Sequence, residues 1–326
     1  MYRVVRPSNS TSEFFRLLII RKNNNKKNNF LRTRLLAIEN ILYEKEIDYK
    51  DKLDREELYK IEKHAYIECC IFEELINKLD DSGEVINISE QSIKDFFESG
   101  ENFYISTEEM EKLYTQDFVG KKEGRDVYNQ ILANADYKLC PYCSVRDVKT
   151  VDHYLPKSKF PTLAVTPINL IPACRDCNTI KSDEHGNLEE ELLLHPYLDD
   201  VSNLNWLSAN IQNNTFPITF EFSVANFSTE EPILFQRIQR QFSLLELGGL
   251  YANHATREFR DRSKMLIKNF DYGGLRGAQD YIKDIYETYS GNVNSWQACM
   301  AEAIFNSDWI MNEETLEQIR VYYKIN

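Results

Sequence analysis

Apolar residues recur at intervals of three and four along the first part of the chain, which predicts amphipathic helices there. The longest such stripe has seven members: Leu58, Ile61, Ala65, Cys69, Phe72, Ile76 and Leu79. The turn-forming residues Asp81-Ser82-Gly83 follow it directly and are typical of a helix end. Ser89 and Thr107 are typical N-caps of further short helices. We therefore predict a predominantly helical region over residues 1–135.

Residues 136–200 show a different pattern. Val148–Tyr154 is rich in β-forming residues and ends just before Pro156, which cannot donate to a strand ladder. A second short extended run passes through Leu170-Ile171, and a helix is expected to begin at Asn178. This segment is therefore predicted to fold as two short strands followed by a helix.

Residues 201–326 are predicted to be mixed and mostly helical. Ile218–Phe222 alternates between apolar and polar positions, as a half-buried strand does. Four apolar positions then predict a helix: Leu234, Ile238, Phe242 and Leu245. The next helix carries four cations on one face: Arg257, Arg260, Lys264 and Lys268. Such a face is compatible with a nucleic-acid backbone, although a solvated charged face is the more frequent meaning. The fold class predicted for the chain is α+β and mainly helical.

Composition narrows the class of protein. The 326 residues are 42% hydrophobic and 28% charged, which is typical of a globular protein. No run is long and apolar enough for a transmembrane span or a signal peptide, so we expect a cytoplasmic protein with reduced cysteines. The net charge is −13, whereas Lys138 to Asp183 holds seven Lys/Arg against four Asp, a local +3. An acidic body with a basic segment argues against a protein that coats nucleic acid with its whole surface.

Four of the seven cysteines form two close pairs. Cys140 and Cys143 make the first Cys-x-x-Cys knuckle, and Cys174 and Cys177 make the second after thirty intervening residues. Two such pairs supply the four thiolates of a tetrahedral zinc site. Because every position would be filled by sulfur, that zinc is expected to be structural. A redox role for a Cys-x-x-Cys motif would require only one pair, so two pairs argue against it.

Polar residues suited to phosphodiester chemistry lie between and beside these knuckles. His153 can accept a proton near neutral pH, and the oxygens of Asp152 and Asn178 are ligands that a hard divalent ion prefers. Each has a structural alternative, since Asp152 can be a turn residue, Asn169 likewise, and Asn178 a helix cap. Neighbouring residues of a straight strand face opposite sides. Asp152 and His153 can therefore share a pocket only where the pleat breaks near Pro156.

Together these residues resemble the HNH endonuclease motif in its zinc-stapled form. Asp152-His153, Asn169 and Cys177-Asn178 occur in the motif's order, framed by both knuckles. The resemblance covers residues 140–181 and a few beyond, and it implies a ββα-metal core. It further implies that His153 is the general base, that Asp152 and Asn178 hold one Mg²⁺ or Mn²⁺, and that Asn169 braces the loop. Asn178 stands where the family's name has histidine, and its amide oxygen still suits magnesium or manganese.

Two cations near this motif could add positive charge at the reaction centre. Lys181 follows Asn178 by one helical turn, and we expect it to contact the scissile phosphate. Arg175 is the alternative for that role. The flanking regions are more loosely similar to HNH subunits of ATPase-coupled phage-defence systems such as Septu. That resemblance implies a protein partner, such as an ATPase, that loads or activates the nuclease.

The expected function is therefore a metal-dependent endonuclease, with a structural zinc, acting on DNA. Two alternatives stay open at this level. The first is an RNA-cleaving HNH nuclease, because a one-metal site attacks the phosphate and does not read the sugar. The second is a zinc-ribbon module that binds nucleic acid without cutting it. A homo-oligomer is compatible with the heptad-like spacing of the early apolar stripe, and no membrane partner is expected.

Overall fold

The computed structural model describes residues 77–79, 85–87, 111–159, 164–165, 169–186, 188–197, 199–227 and 231–325. This part of the chain is α+β and mainly helical, as the sequence predicts. Its strands form three separate antiparallel pairs. The strands are β1 (Asn77–Leu79), β2 (Val85–Asn87), β3 (Thr150–His153), β4 (Leu170–Ala173), β5 (Leu207–Gln212) and β6 (Thr219–Val224). The α-helices are α1 (Lys122–Ala133), α2 (Arg175–Lys181), α3 (Pro232–Leu244), α4 (Leu247–Tyr289), α5 (Trp296–Phe305) and α6 (Glu313–Tyr322).

The first hairpin corrects one prediction. The long amphipathic helix was expected to extend through Leu79, but Asn77–Leu79 is a strand that pairs with Val85–Asn87. The turn residues Asp81-Ser82-Gly83 lie outside the described residues. Turn chemistry is common to both arrangements, so the sequence signal was compatible with either. The remaining members of that apolar stripe, and the N-caps at Ser89 and Thr107, lie outside the described residues.

A short π-helical segment, Leu113–Phe118, and helix α1 precede the motif. Phe118 and Ile131 are buried, and they give this part of the chain an apolar face. The phenol of Tyr128, on α1, accepts a 3.2 Å hydrogen bond from the backbone N–H of Val151 on β3. Helix α1 is thereby fixed against one side of the β3–β4 hairpin.

Strands β3 and β4 and helix α2 form the two-strands-then-helix unit that the sequence predicts. The pairing is regular antiparallel and reaches His153, which lies opposite Leu170. Helix α2 begins at Arg175, three residues before the predicted start at Asn178. The earlier start has a local cause, because the Cys174 sulfur caps the helix by accepting a hydrogen bond from the Cys177 N–H. Ser182, at φ 45°, ends it.

The C-terminal part packs helices around the β5–β6 hairpin. Strand β6 confirms the alternation predicted for Ile218–Phe222, and α3 and α4 confirm the two predicted helices. Apolar residues of β6 and α4 join those of the cysteine knuckles in one buried core. The described part of α4 is kinked at Gly274, which has φ 62°. Among the described helices, none is both long and apolar enough to cross a membrane.

Candidate active site

The four knuckle cysteines come together in the fold. The sulfurs of Cys140, Cys143, Cys174 and Cys177 all lie within 4.8 Å of one another, and all four residues are buried. A tetrahedral ion with zinc–sulfur bonds of about 2.3 Å requires sulfurs about 3.8 Å apart. The cluster therefore has the ligand set and the spacing of a structural zinc site.

The acid–base chemistry of the cluster is also suited to a metal. Hydrogen bonds with Cys140 lower the pKa of Cys143 and lower the pKa of Cys174 to about 7. Thiolates are the species that bind zinc. Burial raises the pKa of Cys140, and hydrogen bonds with the other three cysteines raise the pKa of Cys177. The cluster thus holds two thiolates and two thiols, and in a buried site an unneutralised thiolate is unfavourable and a divalent cation is favoured.

Helices from the C-terminal part hold the first knuckle in place. The Tyr251 hydroxyl, on α4, donates a 3.1 Å hydrogen bond to the carbonyl of Cys143. The Gln241 amide, on α3, donates a 3.4 Å bond to the carbonyl of Tyr142 and accepts the Leu194 N–H at 3.0 Å. The two contacts to the knuckle, from Tyr251 and from Gln241, join residues about a hundred positions apart in the sequence. The knuckle is thereby attached to α3 and α4 as well as to the second cysteine pair.

Asp152 lies at the buried interface between the hairpin and α2. Its carboxylate accepts a 2.8 Å hydrogen bond from the Tyr142 hydroxyl and contacts the Lys181 ammonium at 3.1 Å. Burial raises the pKa of the Asp152 carboxyl, and the positive charge of Lys181 and the bond from Tyr142 oppose that shift. Tyr142 is fully buried and belongs to the first Cys-x-x-Cys knuckle. The zinc knuckle therefore contributes directly to holding this carboxylate.

Lys181 is fully buried, at 0% exposure. Besides Asp152, its ammonium donates a 2.7 Å hydrogen bond to the carbonyl of His153. Because its described partners are both on β3, the side chain joins α2 to this strand. The sequence predicts a contact between Lys181 and the scissile phosphate; in the structure, its charge lies against the carboxylate of Asp152. Arg175, the alternative, is exposed on the first turn of α2.

His153 is half-buried, and its partners differ from those of Asp152. Its Nε2 lies 2.8 Å from the carbonyl oxygen of Ala164, and its ring meets the edge of Tyr114 with centroids 4.4 Å apart. A carbonyl oxygen only accepts hydrogen bonds, so Nε2 carries the proton and Nδ1 holds the lone pair of the neutral ring. Burial lowers the pKa of His153 to about 4, and the charges of Lys157 and Lys181 add to that shift. The imidazole is therefore neutral at pH 7.

Asn169, just before β4, makes two side-chain hydrogen bonds to the chain just after β3. Its Oδ1 accepts the Leu155 N–H at 2.8 Å, and its Nδ2 donates to the Leu155 carbonyl at 3.0 Å. The backbone carbonyl of Asn169 also accepts the Tyr154 N–H at 2.9 Å. Through its side chain and its backbone carbonyl, this buried residue fixes the two residues that follow His153, and so it limits the directions in which the imidazole can point.

Asn178 lies on the side of α2 that meets the hairpin. Its Nδ2 donates a 3.3 Å hydrogen bond to the hydroxyl of Thr150. Thr150 and Asp152 are two residues apart in β3 and therefore share a face of the strand. Asn178 and Lys181, three residues apart on α2, both contact that face. The amide and the carboxylate expected to hold the divalent ion thus occur on the same α2–β3 interface.

Two residues of the site were not identified from sequence. Tyr142 stands between the cysteines of the first knuckle, a position that could have directed attention to it. Tyr114 lies 39 positions before His153, and nothing in the local sequence connects the two. The structure also shows that the β3 pleat stays regular through His153. Asp152 and His153 accordingly have separate side-chain partners, while Lys181 contacts both residues, through the Asp152 carboxylate and the His153 carbonyl.

Comparison with known proteins agrees with this geometry. Residues 140–184 match the model of the HNH endonuclease family. Protein ea31 of Escherichia phage lambda is 32% identical over 218 residues, which cover 61% of this chain and 72% of that protein. Septu protein PtuB of Bacillus thuringiensis is 36% identical over 69 residues, 20% of this chain and 26% of that protein. No solved structure gives a significant match.

Proposed function

Because the chain belongs to the HNH endonuclease family, we propose that it is a metal-dependent endonuclease that hydrolyses phosphodiester bonds in DNA. The observation that carries the proposal is the orientation of His153. Its Nε2–H is engaged by the Ala164 carbonyl, so the remaining ring nitrogen is a base on a neutral imidazole. A positioned base of this kind is what activation of a water nucleophile requires.

His153 acts as the general base through Nδ1. It takes a proton from the attacking water while Nε2–H stays bonded to Ala164, which keeps the ring in one tautomer. Tyr114 packs on the ring and restricts its rotation. Asn169 fixes the backbone that follows the histidine. These three residues position the base without taking part in proton transfer.

Asp152 and Asn178 are the proposed ligands of a divalent ion, Mg²⁺ or Mn²⁺. The donor set fits, since both supply hard oxygen atoms from one interface. A bound ion would polarise the phosphate and stabilise the leaving oxygen. Tyr142 holds the Asp152 carboxylate, and the cysteine cluster holds Tyr142 when it binds structural zinc. Arg175, exposed beside this interface, supplies further positive charge.

The substrate and the cellular role are proposed from the protein's relatives and its net charge. DNA is the substrate that the family relationship favours, with RNA as the alternative to be tested. Similarity to a Septu protein supports a role in defence against phage, in the cytoplasm, with a protein partner such as an ATPase. The net charge of −13 supports a need for such a partner, because an acidic protein repels the polyanion that it must bind.

The test is cleavage of supercoiled plasmid by the full chain with Mn²⁺ or Mg²⁺. We expect nicked or linear product from wild type and no product when a chelator is added. His153→Ala should lower the cleavage rate about a hundredfold or more. His185→Ala is the matched control, because His185 is a histidine near the motif that bonds Lys159 rather than the hairpin. Full activity in His153→Ala would overturn the mechanism.

A negative result also has a defined meaning. If zinc-loaded, folded wild type cleaves neither plasmid nor structured RNA, with or without its candidate partner, the endonuclease proposal is wrong. The zinc-ribbon binding module would then be the better account. Cleavage of RNA alone would retain the mechanism and change the substrate.

A further inference from the structure

Helix α4 carries a row of exposed cations outside the site described above. We call it the basic stripe, and its members are Arg257, Arg260, Lys264 and Lys268. They recur every three or four residues, so they share one face of the helix. The opposite face, which includes Ala255, Phe259 and Leu266, is buried in the core. The stripe therefore faces solvent along its whole length, and its backbone is fixed by core packing.

Three of the four members of the stripe lack an ion pair within the described part of the chain. Some exposed cations elsewhere do pair with acids, as Lys122 does with Asp126 at 2.8 Å and Lys283 with Glu287 at 3.6 Å. Arg257, Lys264 and Lys268 form no ion pair with any residue in the described ranges. Arg260 does pair, with its neighbour Asp261 at 2.8 Å. In a protein with net charge −13, three unneutralised cations in one row are complementary to a polyanion.

The length and spacing of the stripe suit a regular phosphate backbone. From Arg257 to Lys268 the helix rises about 16 Å, at about 1.5 Å per residue. Phosphates on one strand of a duplex advance about 3.4 Å per nucleotide along the axis, so this length covers about five of them. A rigid row of charges matches a rigid duplex better than a flexible single strand, which proteins bind mainly through several stacked aromatic residues.

Both ends of the stripe have features that suit such a ligand. At one end, Tyr272 is 83% exposed, and the Lys268 ammonium lies 6.0 Å from its ring centroid. An exposed aromatic beside a cation can pack on a sugar or a base. Just beyond it the helix is kinked at Gly274, where a side chain would meet nothing within 4 Å. This end is therefore open to an approaching backbone.

The other end adjoins the nuclease motif. His254, which precedes Arg257 by three residues, lies close to the charges of both Arg257 and Arg146; burial lowers its pKa, and these two charges add to the shift. Arg146 follows the first cysteine knuckle and pairs with Asp176, on the first turn of α2, at 2.8 Å. This end of α4 therefore lies near the first cysteine knuckle, which Tyr251 of the same helix contacts at 3.1 Å.

We propose that the basic stripe binds the phosphate backbone of duplex DNA and extends the contact surface of the nuclease motif along α4. The inference rests on the proposed nuclease function for its biological meaning, although the binding itself is measured without cleavage. It assigns α4 a sequence-independent role, since charged contacts to phosphates position a duplex and do not read its bases.

The test measures DNA binding by fluorescence anisotropy over a range of salt concentrations. It uses the full chain carrying His153→Ala, without added Mg²⁺ or Mn²⁺, and a labelled duplex. The double variant Lys264→Gln/Lys268→Gln is expected to weaken binding about tenfold at low salt. It should also reduce the slope of log K against log salt concentration by about 1.8, because each lost phosphate contact lowers that slope by about 0.9. Lys122→Gln/Lys283→Gln is the control, because it removes the same charge from exposed, paired lysines. That control should leave the slope unchanged.

Several outcomes would overturn the proposal. They are an unchanged slope in the stripe variant, an equal decrease in the control, and no measurable duplex binding by the parent protein. A loss confined to an RNA duplex of the same length would assign the stripe to RNA instead. Failure of the nuclease proposal is seen separately, in the plasmid assay, where wild type would not cleave. Binding that depends on the stripe without cleavage would support the stripe and overturn only the nuclease function.

Discussion

The Tyr142 hydroxyl donates a 2.8 Å hydrogen bond to the carboxylate of Asp152, ten residues later in the chain. Tyr142 lies between two cysteines of the metal-binding cluster, and Asp152 lies on the strand that carries the candidate general base. One buried contact therefore connects the structural metal site to the candidate catalytic site. The cysteine cluster is thus positioned to control where the carboxylate lies as well as to stabilise the fold.

Tyr142→Phe should impair catalysis while leaving the cysteine cluster intact. The variant removes one of the donors to a buried carboxylate, a contact of about 1.5–3 kcal/mol, so Asp152 should be held less well for the divalent ion. We expect a decrease of about tenfold or more in cleavage and weaker Mn²⁺ binding, measured by plasmid cleavage and by electron paramagnetic resonance. Zinc content should not change.

Tyr251→Phe is the matched control for that experiment. Tyr251 is also a buried tyrosine bonded to the first knuckle, but its hydroxyl reaches the Cys143 carbonyl and not Asp152. It should lose comparable stability and keep wild-type Mn²⁺ binding. If the two variants behave alike, Tyr142 has a structural role only.

Loss of the cysteine cluster should unfold the region around it. Replacing Cys140 and Cys177 by serine removes two thiolate ligands, and structural zinc contributes on the order of 10 kcal/mol to the folding of small metal-dependent units. We expect the variant to lose the bound zinc, as measured by mass spectrometry. Its Tm should fall by tens of degrees, or the protein should be insoluble. Cys299→Ala, at a buried cysteine outside the cluster, should keep one zinc per chain. Stable, zinc-free Cys140→Ser/Cys177→Ser protein would contradict the assignment.

Lys181→Met should lower the free energy of unfolding. The methionine preserves most of the volume of a fully buried side chain but leaves the Asp152 carboxylate without its cation, which costs about 3 kcal/mol or more. Urea unfolding at pH 7, without added Mg²⁺ or Mn²⁺, measures the change. Adding Asp152→Asn should recover part of the loss, because no buried charge is then left unpaired. A phosphate-binding lysine would instead show normal stability with a raised KM.

The ion pair between Asp271 and Arg320 should make the stability of the fold depend on pH in the acidic range. Hydrogen bonds from Arg320 hold the pKa of the exposed Asp271 carboxyl below its ordinary value. Such a group stabilises the fold above its unfolded pKa, about 4, and loses that contribution as the pH falls through the folded value. Asp271→Asn should therefore give a slightly lower Tm than wild type at pH 7, and the difference should narrow below about pH 4. Asp280→Asn, whose carboxylate lies 3.9 Å from Arg276, is the comparison. A difference that is constant with pH would contradict the prediction.

Local patterns in the sequence determined much of the fold. The spacing of Cys140, Cys143, Cys174 and Cys177 predicted the four-sulfur cluster that the fold brings together, because two such pairs are typical of a tetrahedral metal site. The alternation at Ile218–Phe222 and the apolar periodicity of α3 and α4 predicted their elements for a similar reason: these signals depend on residues only a few positions apart. The boundaries at residues 135 and 200 stay predictions.

Where prediction failed, the deciding interaction was absent from the local pattern. Leu79 continues a helical stripe, yet it pairs with Val85 in a hairpin, because strand pairing can override a helical period. Helix α2 begins before Asn178 because the Cys174 sulfur caps it, and a cysteine is not among the usual capping residues. In both cases a contact that the local sequence pattern does not reveal decided where the element lies.

The sequence by itself thus determined which groups the protein carries: two cysteine pairs, a histidine and oxygen donors in the order of the HNH motif. Only the tertiary structure decided how these groups are held. Tyr114 meets His153, and Lys181 is buried on Asp152. Each contact joins separate elements of the fold. Side-chain type and spacing follow from the chain alone, whereas burial and charge pairing depend on which distant residues the packed core brings together.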